Sequence, residues 1–165
     1  MRKTLEALVL AALAVLVWIT YRAIHGPAPL PQRIPTHFGL DGQPNAWGPQ
    51  GALWLLPAVG VGLFLVISLV ALFPASFNFP VRVTPANRPR LEALTLKMIS
   101  WIKFELATMF LYIQWSILQS VRAGNAALGP FIVPIFIAAV FTTIGIFIAA
   151  IIRAARATAS PRVKD

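Results

Sequence analysis

Apolar residues in this chain fall in four long blocks, separated by shorter stretches rich in proline, arginine and small polar residues. The blocks run from about Leu5 to Ile24, Ala52 to Phe73, about Met98 to Val121, and Pro130 to Ile152. About 20 residues rising 1.5 Å each are needed to cross the roughly 30 Å hydrocarbon core of a bilayer. Each block reaches that length, and a helix is the form in which a single segment satisfies its own backbone polar groups in lipid. The pattern predicts an all-α membrane protein: one four-transmembrane-helix bundle over residues 1–165, with a short hairpin-like extracytoplasmic loop at 25–51.

The edges of the blocks add detail. Leu91, Leu94, Met98 and Trp101 share one helical face while Arg90, Glu92 and Lys97 point away, so the third helix is expected to begin before its apolar block. Pro80, Pro85 and Pro89 are expected to make residues 74–90 a non-helical connection. In the fourth block Ala138, Thr142, Gly145 and Ala149 form a stripe of small residues that lets two helices approach closely, a route to oligomers. Pro130 suits a first helical turn, and Pro134 is expected to kink or relax the next. Met1-Arg2-Lys3 before an apolar run also fits a signal peptide, but Ile19-Thr20-Tyr21-Arg22 offers a poor cleavage site, so a retained anchor is expected.

Charge supplies an orientation. Arg2 and Lys3, then Arg82, Arg88, Arg90 and Lys97, then Arg153, Arg156, Arg162 and Lys164 flank the blocks on one side; Arg22, Arg33 and Arg122 flank them on the other. The positive-inside bias places both termini in the cytoplasm and residues 25–51 outside, in a cytoplasmic (inner) membrane. Trp18, Tyr21 and Trp54 mark the outer interface, Trp101 the inner one, and Trp115 lies deeper. Hydrophobic residues make up 58% of the chain and charged ones 12%, against about 25% charged in soluble domains. The net charge of +9 raises the question of nucleic acid, but the cations sit at block ends, where they meet lipid headgroups, so no nucleic-acid partner is expected. With no cysteine, thiol chemistry and Cys-ligated metals are excluded.

The loop between the first two blocks is the most specific stretch. Pro27, Pro29 and Pro31 favour extended backbone, and Asp41-Gly42 is a turn signal, so Ile34–Phe38 and Gln43–Trp47 are expected to fold back on one another. The run Ile34-Pro35-Thr36-His37-Phe38, then Gly42-Gln43-Pro44-Asn45-Ala46-Trp47-Gly48, then Leu55-Leu56-Pro57, resembles the signature of a small membrane domain. That domain is shared by SdpI-type toxin-immunity proteins and many uncharacterised bacterial proteins. The resemblance covers about residues 1–75. It implies a membrane protein that senses a peptide toxin or a partner protein. Where such proteins often carry Asp, this chain has Asn45, and where they carry Lys after the aromatic-Gly pair it has Pro49-Gln50, so that acidic-basic pair is absent.

Candidate binding residues in the loop are therefore His37, Phe38, Asp41, Gly42, Pro44, Asn45 and Trp47. His37 is either a pH-sensitive recognition group or, as expected here, a ring holding the hairpin through loop backbone. His25, His37 and Asp41 match no metal spacing, so no metal and no cofactor is expected. Trp47 is expected to dock on the bilayer surface, and Arg33 to meet Asp41 or headgroup phosphates. Within the third block, Lys103 is expected to snorkel to the inner headgroups, and Glu105 to need a partner from another helix such as Ser68, with a proton-linked carrier role as one option. Gln114, Ser116 and Gln119 fit interhelical hydrogen bonds. The chain has no Ser-His-acid arrangement, paired carboxylates or phosphate loop, so the expected role is binding rather than catalysis. The expected partners are membrane lipids and a peptide toxin or another membrane protein. The alternative expectation is an accessory subunit of a larger complex such as a transporter.

Overall fold

A computed structural model describes residues 2–28, 30–39, 41–123 and 131–159, the side chains of Thr158 and Ala159 excepted. Expectations for Pro29, Pro130, Arg162 and Lys164 lie outside these residues. Helix α1 (Arg2–His25) leads into an antiparallel hairpin of β1 (Arg33–Phe38) and β2 (Pro44–Pro49). A single 3-10 turn, Gln50–Trp54, then feeds α2 (Leu55–Val70). After a linker with a second short turn, Pro74–Ser76, come α3 (Arg88–Ala123) and α4 (Ile132–Ala159).

Among the described residues, three helical stretches are long and apolar enough to cross a membrane: Arg2–His25, Gln50–Val70 and Ile132–Ala157, with mean hydropathies of 2.1, 2.5 and 2.8. The chain is thus a multi-pass membrane protein. The third apolar block departs from the expected uniformity. Helix α3 is the longest at 36 residues but does not reach the same apolarity. Its place explains why. It packs against α1, α2 and α4 and buries Ser100, Lys103, Gln114, Ser116 and Ser120, whereas Leu10, Leu65, Val66, Ile135 and Phe141 on the other helices face outward. Polar groups in a membrane bundle are stable where neighbouring helices supply partners, so the interior helix carries them.

The boundaries correct two readings of proline. Thr84 and Asn87 cap each other: the Asn87 N–H donates to Thr84 Oγ1 at 3.3 Å and the Thr84 N–H to Asn87 Oδ1 at 2.8 Å. That reciprocal cap opens a turn with Pro85 directly after Thr84, where a missing N–H costs nothing. Pro89 then falls second in α3 and does not break it, so the helical path starts earlier than the expected non-helical 74–90. Pro134 lies in the first turn of α4, where N–H groups have no intrahelical partner to lose, and α4 continues through it.

The core is a stack of three apolar clusters. In the middle, Val9, Leu13 and Leu16 of α1 meet Ala107 and Phe110 of α3. Gly60 lets α2 close on this junction, since a Cβ there would lie 3.3 Å from Phe110 and 3.4 Å from Leu13. At the hairpin end, Ala23, Leu30, Ile34, Leu53, Ile117 and Leu118 pack together. At the opposite end, Leu91 of α3 meets Ile151 and Ala154 of α4, with Phe79 and Val81 of the linker laid against them. Of the small-residue stripe of α4, Ala149 is half-buried while Ala138, Thr142 and Gly145 are exposed, and among the described residues a Cβ on Gly145 would meet nothing.

Candidate functional site

The hairpin forms as the Asp-Gly signal indicates, with Arg33 opposite Pro49, Ile34 opposite Gly48 and His37 opposite Ala46. The Gly39 N–H reaches the Gln43 carbonyl at 2.8 Å, and the Gly42 N–H reaches the Gly39 carbonyl at 2.9 Å. Asp41 Oδ1 accepts from the Gln43 N–H at 3.0 Å, so Asp41 braces its own turn and leaves Arg33 to donate to the Trp47 carbonyl at 3.2 Å. Gly42 has φ of 75°, the left-handed backbone that a short hairpin loop needs. Gly42→Val is therefore expected to destabilise the protein by about 1–2 kcal/mol. A fall in Tm measured in one detergent, larger than that for Gln43→Val beside it, checks this.

The two faces of the hairpin differ. Ile34 is buried against Leu53 and Ile117 on the helix side, whereas His37, Asn45 and Trp47 are exposed. His37 does not hold loop backbone as expected. Its Nδ1 meets Asn45 Oδ1 across the strands at 2.5 Å. The structure thus joins His37 to Asn45, places Asp41 and Gly42 at the tip, and sets Pro44 opposite a half-buried Phe38. His25 stays apart, its ring 4.7 Å from that of Tyr21. Among the described residues no group of three or more His, Asp or Glu side chains is placed to hold a metal.

Beneath the hairpin lies a cavity of about 240 Å³, walled by Ile34, Leu53, Leu56, Ile113 and Ile117 and reaching His37 at its rim. Gln114 also lines it and is fully buried. Its Nε2 donates to Thr20 Oγ1 at 2.7 Å and to the Leu53 carbonyl at 3.2 Å. Thr20 Oγ1 spends its own hydrogen on the Leu16 carbonyl at 2.8 Å, so it can only accept from Gln114, which fixes the orientation of the amide. Gln114 Oε1 is left without a hydrogen-bond partner among the described residues. Gln50 secures the other edge, its Nε2 donating to the carbonyls of Leu30 at 2.7 Å and Pro31 at 3.1 Å.

The ionisable groups in α3 are arranged differently from the expectation. Lys103 does not snorkel. It is 5% exposed, its Nζ 2.6 Å from Glu6 Oε2 of α1 and 3.1 Å from Ser68 Oγ of α2, and 5.0 Å from the centre of the Phe64 ring. Ser100 Oγ donates to the other Glu6 oxygen at 2.7 Å. Ser68 is therefore committed to Lys103 and does not serve Glu105, which instead accepts from Thr143 Oγ1 of α4 at 2.5 Å. Glu105 Oε2 has no partner among the described residues. Sequence reasoning passed over Glu6. The signal was available, because Glu6 is the single acid in the first block and an acid there calls for a cation on a neighbouring helix.

In chemical terms the hairpin site offers an exposed imidazole–amide pair, an aromatic ring at Trp47 and an apolar cavity lined by a buried amide, an inventory suited to recognition. Residues 7–61, which hold most of α1, the hairpin and the start of α2, match the model of a family described as a domain of unknown function (DUF1648). An uncharacterized protein of Archaeoglobus fulgidus is 27% identical over 124 residues, covering 67% of this chain and 68% of that relative. No solved structure matches the chain. The protein is a multi-pass membrane protein whose residues 7–61 are similar to the DUF1648 domain of unknown function.

Proposed function

We propose that this is a non-enzymatic binding or sensing protein of the cytoplasmic membrane, of the SdpI-like immunity type, that recognises a peptide or a membrane partner through its outer hairpin. The observation that carries this reading is the two-faced hairpin over its cavity, with His37, Asn45 and Trp47 exposed and Ile34 buried beneath them. Recognition surfaces join exposed aromatic and polar groups to a rigid support. In this reading α3 is the fourth span, which puts both termini in the cytoplasm in keeping with the arginine and lysine bias. The protein then needs neither metal nor cofactor.

The test is a pull-down from native membranes in mild detergent, comparing the wild type with His37→Ala/Trp47→Ala. A peptide or membrane protein retained by the wild type and reduced at least tenfold in the variant is the expected result. Equal recovery from both would remove the hairpin as the recognition site. An accessory-subunit role is the second reading, favoured by the outward-facing Ala138, Thr142 and Gly145 of α4, which leave room for a helix from another chain. Equal recovery of the same membrane proteins by both forms would point to it.

A further inference from the structure

The end of the molecule opposite the hairpin holds a second cleft, of about 450 Å³, between the linker before α3 and the last turns of α4. Its volume is within the roughly 300–1,000 Å³ of small-ligand sites. Arg82 stands on the linker wall and Arg156 on the α4 wall, with Val81 and Ile152 forming apolar surface between them. Neither arginine makes an ion pair among the described residues, and Glu92, the acid nearest to Arg82 in sequence, is taken by Arg88 at 2.8 Å. Two arginines therefore line one cleft with no anion among the described residues to neutralise them.

The linker wall is built to stay in place. Asn87 is 2% exposed, and both polar atoms of its side chain are bonded: Nδ2 donates to the Arg82 carbonyl at 3.0 Å, and Oδ1 accepts from the Thr84 N–H. Phe79 and Val81 are packed against Leu91, Ile151 and Ala154. A buried amide thus holds the backbone of Arg82 while α4 presents Arg156 across the gap. Depth is set independently. The apolar run of α4 from Ile132 to Ile152 is about 30 Å long at 1.5 Å per residue, so Arg156 emerges at the level of the headgroups.

We propose that this cleft binds the headgroup of an anionic phospholipid, with its phosphate between Arg82 and Arg156 and the upper part of its acyl chain along Val81 and Ile152. Guanidinium groups bind phosphate through paired N–H donors, and basic pockets beside transmembrane helices select acidic headgroups. The apolar surface is what favours a lipid over inorganic phosphate, which would gain nothing from it.

The experiment is native mass spectrometry of the full-length protein in detergent, titrated with phosphatidylglycerol or with phosphatidylcholine of the same chains. The wild type is expected to retain phosphatidylglycerol on the order of 10-fold better, and Arg82→Gln/Arg156→Gln to lose that preference. Arg22→Gln/Arg122→Gln, which removes the same charge at the other end, is expected to keep it. All four arginines are exposed, so these substitutions do not touch the core. Equal retention of the two lipids by the wild type, an unchanged preference in Arg82→Gln/Arg156→Gln, or equal loss in the control pair would overturn the site. Displacement of the bound lipid by millimolar inorganic phosphate would overturn its assignment to lipid.

Discussion

Glu6→Ala is expected to destabilise the protein by roughly 3 kcal/mol, the low end of the range for breaking a buried ion pair. The low end applies because the Glu6 side chain retains 30% exposure while that of Lys103 retains 4%. The asymmetry predicts an order. Removing Glu6 strands an ammonium among α1, α2 and α3 with only Ser68 and the Phe64 ring beside it. Lys103→Met strands a carboxylate that keeps Ser100 and reaches water more easily, so its cost is about 1.5 kcal/mol, the low end for a lost hydrogen bond to a charged group. The double variant Glu6→Ala/Lys103→Met leaves no buried charge and is expected to lie above Glu6→Ala in stability. Thermal unfolding of the four forms in one detergent measures this. If the double variant were as unstable as the sum of the singles, the pair would not be the source of the cost.

This pair also shows what the chain discloses before folding. Helices and hairpin were legible because their signals are local: block length for α1, α2 and α4, and Asp41-Gly42 for the turn. Partner choice was not. Lys103 near Trp101 reads as an interfacial residue when α3 is considered alone. Its burial follows from α3 taking the interior position, a property of how four helices are arranged. The same arrangement moved Ser68 from Glu105 to Lys103 and gave Glu105 a partner on α4. Prolines misled for a local reason: Pro85 and Pro89 read as breakers, but the Thr84–Asn87 cap turns them into first-turn residues. At the hairpin the turn was legible and the side-chain wiring was not. His37 bonds the Asn45 side chain instead of backbone because the strand register brings the two side by side.

Gln114→Leu is expected to cost about 2 kcal/mol and to loosen the hairpin from a distance. The substitution keeps bulk but leaves the buried Leu53 carbonyl without its donor, and a buried polar group left unpaired costs roughly 1–3 kcal/mol. Leu53 belongs to the 3-10 turn that carries β2 into α2, and it packs with Ile34 of β1. A turn no longer tied to α3 therefore frees the floor on which the hairpin rests. Hydrogen exchange reads the consequence: the Gly39 and Gly42 amides, which close the turn, are expected to exchange faster in Gln114→Leu. Asn45→Ala, on the exposed face, is expected to change stability by no more than about 0.5 kcal/mol. Thr20→Val separates the two bonds of Gln114, since it removes the α1 contact and leaves the one to Leu53. Its hairpin amides are expected to stay as protected as in the wild type. Faster exchange in Thr20→Val and not in Gln114→Leu would mean that α1, rather than the amide on α3, supports the hairpin.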